Sequence, residues 1–298
     1  PKTSNSSAFV VLANDVLIHG INIVSKNVYT PKIGENNVTG KSSNIYGFLI
    51  RGNNCKLDSC NVFDCFSLAY IRGYDLTYDG IATNKIIKNI ILQNCNAYDS
   101  VFGVFTAFVD NVNVMNSILN NNESGLNDFC HNIYIGTQSS NITFNNVVLG
   151  GGSSTMYDVI SLHDSIFDSK NISNINFINC VSTGKAKNFI TLADCEKVKL
   201  SGCSHINMDI DYQKGLINTQ RNCEQIIIEN SNFKLYNAYS IINSVDGGKN
   251  VNEFKIINCE FDLKDTNTYI FRYMREATIC NCNFNLTSSS KRKVTFFY

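Results

Sequence analysis

The chain has 298 residues, as many basic as acidic side chains, and only 17% charged against 44% hydrophobic residues. Zero net charge without a basic cluster argues against a nucleic-acid protein. No run of 18 apolar residues occurs, so no membrane insertion is expected, and the length asks for no second domain.

Residues 9–12 read as a first strand. They are followed by Val16-x-Ile18-x-Gly20-Ile21, and this phrase of apolar, any, apolar, any, bend, small recurs ten times. Anchored on the bend, it gives Gly20, Ser59, Asn94, Asn116, Asn146, Asn179, Gly202, Asn230, Asn258 and Asn281, and seven of the ten are Asn. The column two before the bend is apolar throughout, as in Leu57, Phe144, Phe177 and Ile256. The column after it carries Cys60, Cys95, Cys180, Cys203, Cys259 and Cys282.

Between the phrases lie further strands and insertions. After the long insertion 24–47 come Phe48-Leu49-Ile50-Arg51-Gly52 and Ala69-Tyr70-Ile71-Arg72-Gly73, which align residue for residue. With Phe48 and Ile50 inward, Arg51, Tyr70 and Arg72 share an outer face. Insertion 73–87 carries Asp79, and insertion 120–132 carries Glu123, Asp128 and His131. Tyr134 follows on the fifth coil. A Gly/Ser loop then leads to Asp158-Val159-Ile160-Ser161-Leu162-His163-Asp164. After Asn179 the coils shorten. Residues 287–298 form a basic, then aromatic segment that suits a cap or a subunit contact, and 1–286 form one repeat domain.

The anchors step by 22 to 39 residues. The shortest step is too small for two helices and fits three short strands with their turns. Alternation inside the phrase has period two, which means strand. Like residues in register on every coil stack about 4.8 Å apart, and stacked coils bury a core that one coil cannot. Asn tolerates the left-handed bend best after Gly, and its amide can bond from coil to coil. Cysteines in parallel register sit farther apart than a disulfide prefers, so the twelve cysteines are expected as free thiols, which fit assembly in a reducing cytoplasm. Cys55, Cys60, Cys65, Cys280 and Cys282 lack metal-ligand spacing; no metal and no cofactor are expected.

These ladders resemble the pectate-lyase-like right-handed parallel β-helix superfamily over residues 9–286. The resemblance implies an all-β, single-stranded solenoid of about ten coils with Asn and Cys ladders. It also implies a carbohydrate groove on the sheet that bears the insertions. Tyr70 and Tyr134 would stack on sugar rings, and Arg51 and Arg72 would bind carboxylated sugars. Glycoside hydrolysis needs two carboxyl groups. The candidates are Glu123 or Asp128 with Asp158 or Asp164, and His163 would orient or protonate. The Asp-pair and His-Gly motifs of polygalacturonases are missing. β-Elimination, with Arg51 or Arg72 neutralising a uronate and His163 as base, is the alternative chemistry, and a non-catalytic adhesin or shaft is a third reading. The absence of a signal peptide, of an initiating Met and of an N-terminal cap suggests a trimmed piece. With the free thiols and the decorated groove, this resembles a homotrimeric phage tailspike depolymerase on the virion tail. A secreted bacterial enzyme is the alternative.

Overall fold

The computed structural model describes residues 6–25, 45–74, 85–100, 102–121, 131–151, 156–163, 171–184, 186–207, 215–236, 240–244, 251–265, 269–272, 276–287 and 295–297. These form 27 strands and no helix. All strand ladders are parallel, and each strand pairs with its counterparts one coil away. The result is a right-handed parallel β-helix whose strands, joined in one continuous parallel network, stack into three faces, called sheets below.

The first sheet runs through Ser6–Val11, Ile45–Ile50, Ser67–Arg72, Phe102–Ala107, His131–Ile135 and Met156–His163. It continues through the opening residues of Ala186–Ser201 and Gly215–Glu229, then Ile242–Ser244, Tyr269–Arg272 and Thr295–Phe297. The C-terminal segment thus adds a strand to this sheet. The second sheet holds the apolar phrase, for instance Ile172–Ile178 and, three coils further on, Val251–Ile257. The third follows the bend, as in Asn61–Phe63, Asn96–Tyr98 and Glu260–Lys264.

All ten anchors adopt a left-handed φ, from 49° at Asn116 to 69° at Gly20. The bend turns the chain from the second sheet to the third. Asn146 Nδ2 donates to Asn116 Oδ1 at 2.9 Å, and Asn258 Nδ2 to Asn230 Oδ1 at 3.2 Å. A second left-handed column lies five residues earlier and includes Asp15, Asn54, Asn89, Asn111, Asn141 and Asn174. Its amides form the longer ladder: Asn54 to Asp15, Asn89 to Asn54 and Asn111 to Asn89, at 2.8–2.9 Å. Each bond satisfies a side chain that the bend would otherwise leave to solvent.

Inside, two columns stack aromatic on aromatic: Phe144 on Phe177 at 5.3 Å in the second sheet, and Phe233 on Phe261 on Phe284 at 5.4 and 5.1 Å in the third. Each buried Phe removes apolar surface worth about 1.5–3 kcal/mol from water. Cys60, Cys95, Cys180, Cys203 and Cys259 are buried behind the bend, and Cys282 is half-buried. The eleven described cysteines are free thiols, and burial pushes the Cys95 thiol up to about 12.

Candidate functional site

The first sheet departs from simple alternation. In Ile45–Ile50 both Gly47 and Phe48 face the core, since a Cβ on Gly47 would lie 2.6 Å from Val62 Cγ1. In Phe102–Ala107, Gly103 and Val104 do the same, and a Cβ on Gly103 would meet Leu119 Cβ at 2.8 Å. Each strand therefore reads out, in, in, out, in, out. The doubled inward position turns Tyr46, Ser67, Phe102, His131, Asp158 and Asn188 outward as one column. Leu49, Tyr70, Phe105, Tyr134, Ser161 and Thr191 form the next.

The N-terminal half of this face is aromatic. Tyr46 meets Tyr70 at 5.0 Å, Tyr70 meets Phe105 edge-on at 4.7 Å, and Phe105 stacks on Tyr134 at 4.5 Å. Cations flank the run. Arg72 Cζ lies 5.8 Å from the Tyr70 ring, and Arg51 Cζ lies 4.9 Å from the Tyr74 ring. Tyr74 and Lys85 form an antiparallel bridge at the base of insertion 75–84, with Lys85 Nζ 5.4 Å from the ring. Arg51, Tyr70, Arg72 and Tyr134 thus share one face.

Where the aromatics end, the face turns polar. Asp158, 2% exposed, accepts hydrogen bonds at Oδ1 from Asn188 Nδ2 (2.6 Å) and Thr191 Oγ1 (2.8 Å). Asn243 Nδ2 donates to Asn218 Oδ1 at 3.2 Å, two coils further on. His131 is Asp158's neighbour on the preceding coil, and its Nδ1 lies 3.0 Å from the Asp158 carbonyl oxygen. Nδ1 donates there, so Nε2 carries the lone pair. Burial, with a smaller contribution from nearby His163, pushes His131 down to about 4 and keeps the ring neutral at pH 7. His163 lies on the same face, with Arg221 Nη2 2.9 Å from its Nε2 and Arg221 Nη1 2.9 Å from Asp194 Oδ2.

Two of the five candidate catalytic residues, Asp158 and His163, lie on the same strand and the same outer face. Glu123, Asp128 and Asp164 lie outside the described residues, as do Asp79 and Asp168. His131 opens a strand and does not belong to the insertion before it. Asp110 sits on the second sheet, where hydrogen bonds from Asn141 above all, then Lys88 and Ser140, hold its carboxyl below the usual range. Sequence reasoning passed over His131, Asn188, Asp194 and Arg221 as site residues. Among the described residues, no group of three His, Cys, Asp or Glu could hold a metal ion.

No protein-family profile and no curated protein sequence matches the chain. Solved structures do. One is a GH87 α-1,3-glucanase catalytic domain in complex with tetrasaccharides: TM-score 0.50, 13% identity, covering 99% of this chain and 61% of that one. This chain thus spans less than two thirds of that domain. A polygalacturonase from Erwinia carotovora ssp. carotovora matches with TM-score 0.52 and 12% identity over 97% of this chain and 87% of that one. The Streptococcus pneumoniae surface protein and adhesin PfbA matches with TM-score 0.53 and 9% identity over 85% and 91%. At these identities the likeness is one of fold: the chain shares the parallel β-helix architecture of these proteins.

Proposed function

We propose that this chain binds and cleaves a polysaccharide laid along the outer face of its first sheet. One observation carries the reading: a ladder of outward aromatic rings runs directly into Asp158, with buried His131 on the preceding coil and half-buried His163 at the end of Asp158's own strand. Aromatic rings offer apolar faces to sugars, and Asp158 sits where such a chain would leave them. The fold neighbours include a glucanase and a polygalacturonase, which supports a glycan as the ligand.

The chemistry we propose is hydrolysis. Asn188 and Thr191 orient the Asp158 carboxylate, and its partner comes from Glu123, Asp128 or Asp164. A separation of roughly 5 Å between the two would mean retention, and about 6.5–9.5 Å inversion. His131 and Arg72 favour a second reading, β-elimination on a uronic-acid polymer, because the neutral ring with a lone pair on Nε2 is a base and Arg72 neutralises the uronate. The adhesin among the neighbours keeps glycan binding without cleavage as the third reading.

Replacement of Asp158 by Asn tests the hydrolytic reading. The Asn Oδ1 still accepts both hydrogen bonds, so the fold is kept while the charge is lost. Asp158→Asn should bind the glycan and fail to shorten it, whereas Asp110→Asn on the second sheet should cut as the parent does. Equal cutting by Asp158→Asn refutes the role. We further propose that the chain acts as a homotrimeric viral tailspike part on the virion tail, on its low charge, free thiols and rigid solenoid. A monomer in light scattering would refute the trimer.

A further inference from the structure

His163 ends its strand on the outer face, and its register partners on the next two coils are Ala193 and Gln220. The next pair in register is Cys195 with Cys223. Between them the earlier coil has one residue, Asp194, and the later coil has two, Arg221 and Asn222. The added residue is a β-bulge, a device that re-aims a side chain and is frequent beside active sites. Arg221 has a left-handed φ of 62° and Asp194 one of 52°, a conformation that bulky side chains adopt only when their surroundings hold them.

The bulge sends Arg221 back along the axis. Its side chain is 14% exposed, and its guanidinium pairs with the fully buried Asp194 carboxylate at 2.9 Å, while the other terminal nitrogen meets His163 Nε2 at 2.9 Å. A guanidinium only donates. Nε2 must therefore accept, and the proton of the neutral ring resides on Nδ1.

We propose that Asp194 and Arg221 are positioning residues that lock His163 in its Nδ1–H tautomer, so that the ring donates a hydrogen bond to a ligand oxygen in the groove. The donor role rests on the groove reading above; the tautomer does not. It also removes His163 as a base through Nε2 and leaves that task, in any elimination, to His131.

The chain has four histidines, so nitrogen-15 labelling of histidine in the full chain yields a readable long-range N–H correlation spectrum. His163→Gln assigns the resonance. In mildly alkaline solution the native protein should show Nδ1 protonated and Nε2 bare. In Arg221→Met the ring should move to the Nε2–H form that free imidazole prefers. A protonated Nε2 in the native protein overturns the proposal, as does an unchanged tautomer in folded Arg221→Met. Should that variant not fold, the native spectrum alone decides. Losing the oriented donor should weaken binding of whichever purified polysaccharide the native chain binds by roughly tenfold. A switched tautomer with unchanged affinity refutes the donor role and leaves the groove reading intact. No glycan binding by the native chain refutes the groove reading, and the donor role with it, while the tautomer result stands.

Discussion

Asn89 tests the mechanism of the bends. It has a left-handed φ of 61°, its Nδ2 donates to Asn54 Oδ1 at 2.8 Å, and its Oδ1 accepts from Asn111 Nδ2 at 2.8 Å. Asn89→Ala removes both bonds and forces a Cβ-bearing residue without a compensating side chain into the bend. The bonds are exposed, so each contributes about 0.5–1 kcal/mol. The left-handed conformation adds about 1–2 kcal/mol, which makes the total loss about 2–4 kcal/mol. Asn89→Gly loses the same bonds without the strain, and after its own unfolded-state entropy it should remain about 1 kcal/mol more stable than the Ala variant. Urea unfolding of the three proteins, followed by circular dichroism, measures both differences. An Ala variant as stable as the Gly variant would refute the account of the bend. A Gly variant as stable as the parent would refute the account of the ladder.

Three further outcomes are expected. Burial pushes His131 and His205 down to about 4 and about 3, so the folded chain excludes protons that the unfolded chain binds below about 6.5. Stability should be full above that pH and fall as pH drops toward 4, by about 1.4 kcal/mol per pH unit for each ring that stays neutral; His205→Phe should flatten the fall, and an unchanged slope would refute it. Cys280 is exposed, whereas burial pushes Cys65 and Cys259 up to about 11 and Cys95 to about 12. A thiol reagent should therefore modify Cys280 in the native protein and reach Cys95 only on unfolding, and early modification of Cys95 would contradict the ladder. Tyr134→Ala should weaken glycan binding roughly tenfold, as read by calorimetry; unchanged affinity would take the aromatic face out of the site.

Much of the fold is legible in the sequence, because its signal repeats. One Asn says little, but ten bends at one offset from apolar pairs dictate a coil, and all ten are left-handed. The companion bend five residues earlier is as regular in space and less so in sequence. Its later positions, Lys197, Gln225 and Glu253, keep the left-handed φ without Asn, since one coil of a held solenoid can impose a conformation that the residue alone disfavours. The site is harder to read. Strict alternation counted from Ile133 or Ile160 turns His131 and Asp158 into the core. The second inward residue on each strand, Asn132 and Val159, reverses this, and Asn132 reaches its inward place by donating to the carbonyls of Leu119 and Gly150. Arg221 was illegible because it depends on one inserted residue at a corner whose length varies between coils. The placing of Arg51 beside Arg72, and of Tyr70 and Tyr134 on the same face, is legible because those strands align without gaps, with Phe105 between the two tyrosines.

The central claim is that a glycan lies on the first sheet and is cut beside Asp158. The measurement that tests it most directly is incubation of the native chain with a panel of purified bacterial capsular and O-antigen polysaccharides. Size is followed by gel filtration and product ends by mass spectrometry, with Asp158→Asn alongside. The account predicts that one glycan is shortened to fragments that gain one water per cut, and that Asp158→Asn leaves the same glycan bound and whole. A panel neither shortened nor bound, or one shortened equally by both proteins, would contradict it.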